Sequence, residues 1–353
     1  EFRRVLFRSN IVNQLNLSNY SYDISYFSPY IEIIFDDIED YENNKDELMN
    51  SLNRSNDVES VIISYLEYDE AIINDDSSSI DYPLSKAFED IGVLTSSYTG
   101  NGIRIGTIES GTPNSTSNLK TDKFTRLSST TTSHSTLVTS IIGGNSGIAE
   151  DAHLYCIGLS DYSFTASINR LIDDYEVNII NMSNGRNQNG TYDNYCAYID
   201  YIIATTGCTF VKSAGNNGTL TSSFISSPGC GMNIITVGSI SANLNVSYFS
   251  SWNTINNYVL KPDMVAPGEK ISNIPHISGS KSGTSFATPM VVGIVALLME
   301  EFPSLKINPN LVKATLHNGC IKLPSQYSYF DEQCGFGLVN YENSRNSLNN
   351  SQY

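Results

Sequence analysis

IRIGTIESG, residues 103–111, is an apolar run that stops on a carboxylate, Glu109, followed by Ser110 and Gly111. Its isoleucines suit a strand buried inside a sheet, and the small residues after Glu109 mark the strand's end. Similar runs recur downstream, separated by helical segments: STLVTSIIGG (helix), LYCIGL (strand), TASINRLIDDYE (helix), NIINMS (strand), YCAYIDYIIATT (helix) and TFVKSA (strand). Isoleucine-rich and valine-rich strands interleaved with helices of this length predict βαβ crossovers and a mainly parallel sheet, an α/β fold. Ligands bind such sheets at the carboxyl ends of the strands. Glu109 stands at one of those ends.

Upstream, YIEIIF, NKDELMNSLNR, ESVIISY and EYDEAIIN predict a small α+β unit of βαββ pattern within residues 20–75. DDSSSIDYP, residues 75–83, carries Asp, Ser and Pro without periodicity, and a linker is read over residues 76–83. The main domain is expected over residues 84–342, with a tail at 343–353. EFRRVLFRS at the start holds three of the nine arginines, against an acidic, Asn- and Ser-rich remainder, and reads as a cloning or sequencing scar.

The chain has 353 residues, is 40% apolar and carries a net charge of -17. That length and apolar share bury a full core. The acidity repels phosphate backbones and anionic lipid, so neither nucleic acid nor a membrane surface is an expected partner. VVGIVALLM, residues 291–299, is half the length of a membrane span and reads as a core helix. The six cysteines lack C-x-x-C spacing and read as free thiols, with a Cys320–Cys334 bridge as the alternative. No signal peptide shows in the chain as given. The compartment stays open, with secretion or the cell envelope in view.

Three more polar clusters fall where strand ends or helix starts are expected. His134 opens the helix of TSHSTLVTSIIGG, Asn216 follows a strand in SAGNNG, and Ser285 opens the most apolar helix in SGTSFATPMVVGIVALLME. Gly279 and Gly283 let the backbone turn tightly before Ser285, and a helix N-terminus offers N–H groups and a positive dipole end to developing negative charge. Pro289 is expected in the first helical turn, where no N–H donor is needed. An ordinary N-cap ahead of a core helix looks the same.

GTSFATPMVVGIVALL, however, resembles the nucleophile segment of subtilisin-like serine proteases, the subtilase family. IRIGTIESG is similar to that family's strand ending in the catalytic carboxylate and HSTLVTSIIGG to its histidine helix. INMSNG resembles the substrate-pairing edge strand, and VKSAGNNG the segment with the oxyanion asparagine. IAEDAHLYCIGL, NIITVGSI and KPDMVAPG match further landmarks in order, over roughly residues 84–342. The resemblance implies a three-layer fold and a serine endopeptidase working through an acyl-enzyme. It assigns Ser285 as nucleophile, His134 as base, Glu109 as the carboxylate orienting it and Asn216 as oxyanion donor. Substrate peptide would add as a strand against Ser183, Asn184 and Gly185 on one side and Gly215 on the other. The order carboxylate, histidine, serine excludes an α/β-hydrolase, which would need an acid and then a histidine after Ser285. Only His317 remains there, and Glu300 and Glu301 before it sit on the nucleophile's own helix.

No metal or cofactor is expected. His153 in a strand, His276 in a loop and His317 after a helix read as structural, and the GGNSG turn is shorter than the calcium-carrying loop of many relatives. Glu109 departs from the family, which has aspartate there. The extra methylene matters because a misplacement of about 1 Å can lower a rate ~10²-fold, although glutamate serves in other serine hydrolases. The alternative function is therefore an impaired subtilase-fold pseudoprotease acting in binding or regulation. The N-terminal unit resembles the small propeptides of the family, an intramolecular partner removed by cleavage near DDSSSIDYP; an accessory domain that stays attached is the other reading.

Overall fold

The computed structural model describes residues 17, 20–24, 31–35, 38–53, 73, 80–186, 189–219, 223–255 and 259–350. Its core is a seven-stranded sheet. In chain order the strands are β3 (Arg104–Glu109), β4 (Phe124–Arg126), β5 (His153–Gly158), β6 (Ile179–Met182), β7 (Thr209–Ser213), β8 (Ile235–Ile240) and β9 (Met264–Pro267). In space they run β9-β8-β7-β6-β3-β5-β4, and every neighbouring pair is parallel. β1 (Ser21–Ile24) and β2 (Ile31–Ile34) lie outside this sheet and pair antiparallel with each other. From β3 the chain first goes to β4 at one edge and returns inward as β5, then crosses to β6 on the other side of β3 and builds the other way. Side chains at the carboxyl end of β3 therefore face a crevice where the winding reverses. Glu109 is the last residue of β3.

Two apolar clusters cover the two faces. One takes in α2 (Leu84–Asp90), α3 (Ser133–Gly143) and α6 (Thr284–Glu301), and the other α4 (Phe164–Asn169) and α5 (Asn194–Thr206). The layers are helices, sheet, helices, as expected for the main domain. Helix starts are where capping chemistry puts them: Thr132 accepts from Ser135 N at 3.1 Å, and Asp193 accepts from Cys196 N at 3.0 Å. α5 stops at Gly207, whose φ of 74° suits a residue without Cβ. α6 is the one helix among the described residues long and apolar enough to cross a membrane, yet it is buried at the centre of the domain.

The N-terminal unit differs from the expected order. Besides the expected strand at Ile31–Ile34 there is an unexpected one at Ser21–Ile24, and the helix α1 runs Ile38–Asn53. The strand ESVIISY and nearly all of EYDEAIIN lie outside the described residues, as does EFRRVLFRS. This hairpin rests on α4. Glu32 Oε2 accepts from Thr165 N at 2.9 Å, Asn169 Nδ2 donates to Ile24 O at 2.9 Å, and Ser163 Oγ donates to Asp23.

Three expectations for the C-terminal third are corrected. Residues read as a tail form helix α8 (Tyr341–Asn350), seated on α7 (Pro309–Gly319): Ser344 is fully buried, a Cβ on Gly319 would stand 2.0 Å from Ser344 Oγ, and Arg345 binds Glu301 at 2.7 Å. A polar sequence, YENSRNSLNN, hides that packing because small Ser and Gly make the contact. His317 lies in the last turn of α7, not after it. Pro289 lies beyond the first turn of α6, which begins at Thr284. All six cysteines are free thiols.

Candidate active site

The site assembles at the carboxyl ends of β3, β6 and β7 and the N-terminus of α6. Glu109 is fully buried, and each of its oxygens is engaged. Oε2 lies 3.0 Å from His134 Nδ1; Oε1 accepts from Asn181 Nδ2 at 3.1 Å and from Ser183 N at 3.3 Å. Despite the extra methylene, the glutamate meets the imidazole at hydrogen-bond distance while two donors from the neighbouring strand fix its other oxygen. His134 comes from the first turn of α3, and its ring centroid lies 5.8 Å from that of Phe286, the residue after Ser285.

Ser285 and Ser183 clasp each other. Ser285 Oγ donates to Ser183 O at 3.2 Å, and Ser183 Oγ donates to Ser285 O at 3.1 Å. The second bond has a cause in the sequence. In a regular helix the N–H of residue 289 would take the carbonyl of residue 285, but Pro289 has no N–H. Its absence leaves that carbonyl for the hydroxyl of Ser183.

Asn216 is oriented by the residue before the serine. Its Oδ1 accepts from both Thr284 N and Thr284 Oγ1 at 2.9 Å, and because a backbone N–H only donates, the amide oxygen must be the end facing Thr284. Gly215 N in turn donates to Thr284 Oγ1 at 3.2 Å. Gly215 has φ 114°, and a Cβ there would stand 2.9 Å from Ser251 Oγ, so both backbone and space require glycine.

Of the residues expected to wall the substrate, Ser183 and Gly215 are each hydrogen-bonded to the start of α6. Asn184 turns its side chain inward, donating to Ile108 O at 2.5 Å, so only its backbone is left to face a peptide. Gly185 is buried in the same segment. His153 is in β5 with Nε2 2.8 Å from Thr125 Oγ1, and His276 is in a turn; neither is brought to the site. Burial pushes the Cys156 thiol, on the strand beside β3, up to about 12, and the Glu109 charge acts in the same direction. That thiol stays protonated and unreactive.

Sequence reasoning missed Asn181 and Thr284. Asn181 had a signal: a polar residue within the apolar strand IINM, two before Ser183 and so on the same face of the chain. Thr284 had none apart from its adjacency to Ser285.

The buried carboxylate, the imidazole and the serine hydroxyl stand at the switch point of a parallel sheet in an α/β protein. The subtilase family's sequence profile matches residues 67–337, and the chain belongs to that family. It is 31% identical to pyrolysin of Pyrococcus furiosus over 208 residues, covering 47% of this chain and 15% of that protein. It is 28% identical to subtilisin DY of Bacillus licheniformis, covering 74% of this chain and 96% of that protein. Among solved structures, fervidolysin of Fervidobacterium pennivorans, a keratinolytic enzyme related to subtilisin, superposes with a TM-score of 0.67 at 19% identity. That match covers 98% of this chain and 59% of fervidolysin.

Proposed function

We propose that this chain is a serine endopeptidase that cleaves peptide bonds through an acyl-enzyme on Ser285. The observation that carries the proposal is the 3.0 Å contact between Glu109 Oε2 and His134 Nδ1, made in a buried site beside α6. With Nδ1–H donating to the carboxylate, Nε2 is the basic nitrogen. Released from Ser183 O, the Ser285 hydroxyl gives its proton to Nε2 as Oγ attacks the substrate carbonyl. Glu109 stabilises the imidazolium, and His134 then protonates the leaving amine. The oxyanion is met by Asn216 Nδ2, since Oδ1 is committed to Thr284, and by the N–H of Ser285 in the open first turn of α6. Peptide adds as a strand along the backbone of Ser183, Asn184 and Gly185 and the Gly215 side.

The second reading, a pseudoprotease, has one observation in its favour: Ser285 is 1% exposed and its hydroxyl is turned to Ser183 O. A zymogen accounts for the same burial. Ile73, in the segment joining the N-terminal unit to the main domain, pairs antiparallel with Ser282, its N–H donating to Ser282 O at 3.0 Å. Chain from the N-terminal side thus passes three residues from Ser285. The N-terminal unit is accordingly read as a propeptide held against α4 and removed by cleavage.

Fluorophosphonate labelling tests the proposal. The processed protein is expected to label on Ser285 and to cleave unstructured casein, with Ser285→Ala doing neither. A folded, processed protein that neither labels nor cleaves would leave the pseudoprotease reading in its place.

A further inference from the structure

Lys212 is fully buried in β7, an unusual place for an ammonium. Its Nζ donates to Ser213 O at 2.5 Å, to Ser226 Oγ at 2.9 Å and to Ser213 Oγ at 3.1 Å. All three partners are oxygens able to accept from an ammonium.

Its position follows from strand register. Lys212 pairs with Met182 where β6 and β7 end; beyond it the two chains diverge, one into Ser183 and Asn184, the other into Ala214 and Gly215. A third segment spans the gap. Ser226 N donates to Ala214 O at 3.0 Å, while Ser227 and Arg186 exchange backbone hydrogen bonds of 2.8 and 3.2 Å. These bonds close a backbone box of residues 183–186, 214–215 and 226–227, which Lys212 Nζ joins at Ser226 Oγ. Ser226 Oγ would stand 3.4 Å from a Cβ on Gly215, so the hydroxyl that receives the ammonium lies close to that glycine.

The box lies between the two walls that hold the peptide. A substrate whose carbonyl carbon meets Ser285 Oγ and whose carbonyl oxygen meets Asn216 presents the side chain on the acyl side of the scissile bond, P1, to this gap. A charge at the base of that pocket is how serine proteases select an oppositely charged P1 residue. Resting on the endopeptidase reading above, we propose that Lys212 makes this a protease selective for acidic P1 residues, glutamate above all, whose carboxylate is met by the Ser213 and Ser226 hydroxyls and the ammonium they hold. A neutral amide of the same shape gains the hydroxyl contacts without the charge.

The test uses the full chain after processing, with fluorogenic peptides differing only at P1: Glu, Gln, Leu and Lys. The expected kcat/KM for Glu exceeds that for Gln by at least about tenfold, and Lys at P1 is the poorest of the four. In Lys212→Met the Glu-to-Gln ratio, read within one preparation, is expected to fall to within about twofold of unity. Sequencing the new C-termini of digested casein gives the same readout from wild type alone, should Lys212→Met fail to fold, and is expected to show Glu and Asp enriched. An enzyme that labels and cleaves with a Glu-to-Gln ratio near one, or a ratio unchanged by Lys212→Met, overturns the inference and leaves the endopeptidase reading standing. Absence of labelling and of cleavage of all four peptides overturns both.

Discussion

Glu109 is the residue on which the proposed chemistry turns. Its sequence context fixed its place at the end of a buried strand but not its reach, because the position of a carboxylate one methylene further out depends on the neighbours that hold it. Those neighbours are Asn181 and the N–H of Ser183, which take Oε1 and leave Oε2 aimed at His134. Shortening the side chain keeps the charge but gives up part of that grip, whereas removing it releases the imidazole tautomer. Glu109→Asp is expected to retain kcat/KM within about tenfold, and Glu109→Ala to lose about 10⁴-fold, measured on the same peptide. Equal activity in all three proteins would remove Glu109 from the mechanism. His134, Ser285 and Asn216 were legible because each sits at an element boundary; Lys212 was not, because a single lysine in TFVKSA reads as the solvent face of a strand until the sheet shows that both faces are covered.

Among the elements, strands β3, β5, β6 and β7 and helices α3, α5 and α6 were readable from period and punctuation, since buried parallel strands are short apolar runs between helices. β4 was not, because FTR has three residues of mixed polarity. Nor was the way β9 is secured. KPDMVAPG carries Asp263, whose carboxylate accepts from Thr236 N at 2.7 Å and binds Lys261 at 2.7 Å, Lys313 at 2.9 Å and His317 at 3.2 Å, joining α7 to the sheet edge. Burial alone would push this carboxyl up; the cations around it hold it well below the ordinary value of 3.8. Between the folded and unfolded values the unfolded chain binds the extra proton, so this contribution is complete above about pH 4 and is lost as pH falls further. Asp263→Asn strands two ammonium groups beside the sheet. It is expected to lower stability at pH 7 by about 3–5 kcal/mol and to flatten the acid limb of a Tm-against-pH curve. An acid limb as steep as wild type would assign that limb to other carboxylates.

Across the whole molecule, the contacts between the N-terminal hairpin and the main sheet domain were not visible in the sequence, because most of them use a backbone group on one side. Asn169 reaches the carbonyl of Ile24, Glu32 reaches the N–H of Thr165, and Ile73 reaches the carbonyl of Ser282. Only the carboxylate and the amide could have been singled out, and polar residues on a short strand carry no mark of what they face. The same limit hid α8, whose polar sequence carries the small Ser344 that meets Gly319 and the Arg345 that binds Glu301.

The Ile73–Ser282 bridge also sets the order of the reaction that would mature this protein. A segment tethered to the same polypeptide meets the hydroxyl at an effective concentration that no bystander molecule matches. Maturation of purified precursor should then be unimolecular, with one half-time whether the sample is concentrated or diluted a hundredfold, as followed by gel densitometry. A half-time that lengthens in proportion to dilution would mean that one molecule trims another, and that the bridge does no more than brace the fold.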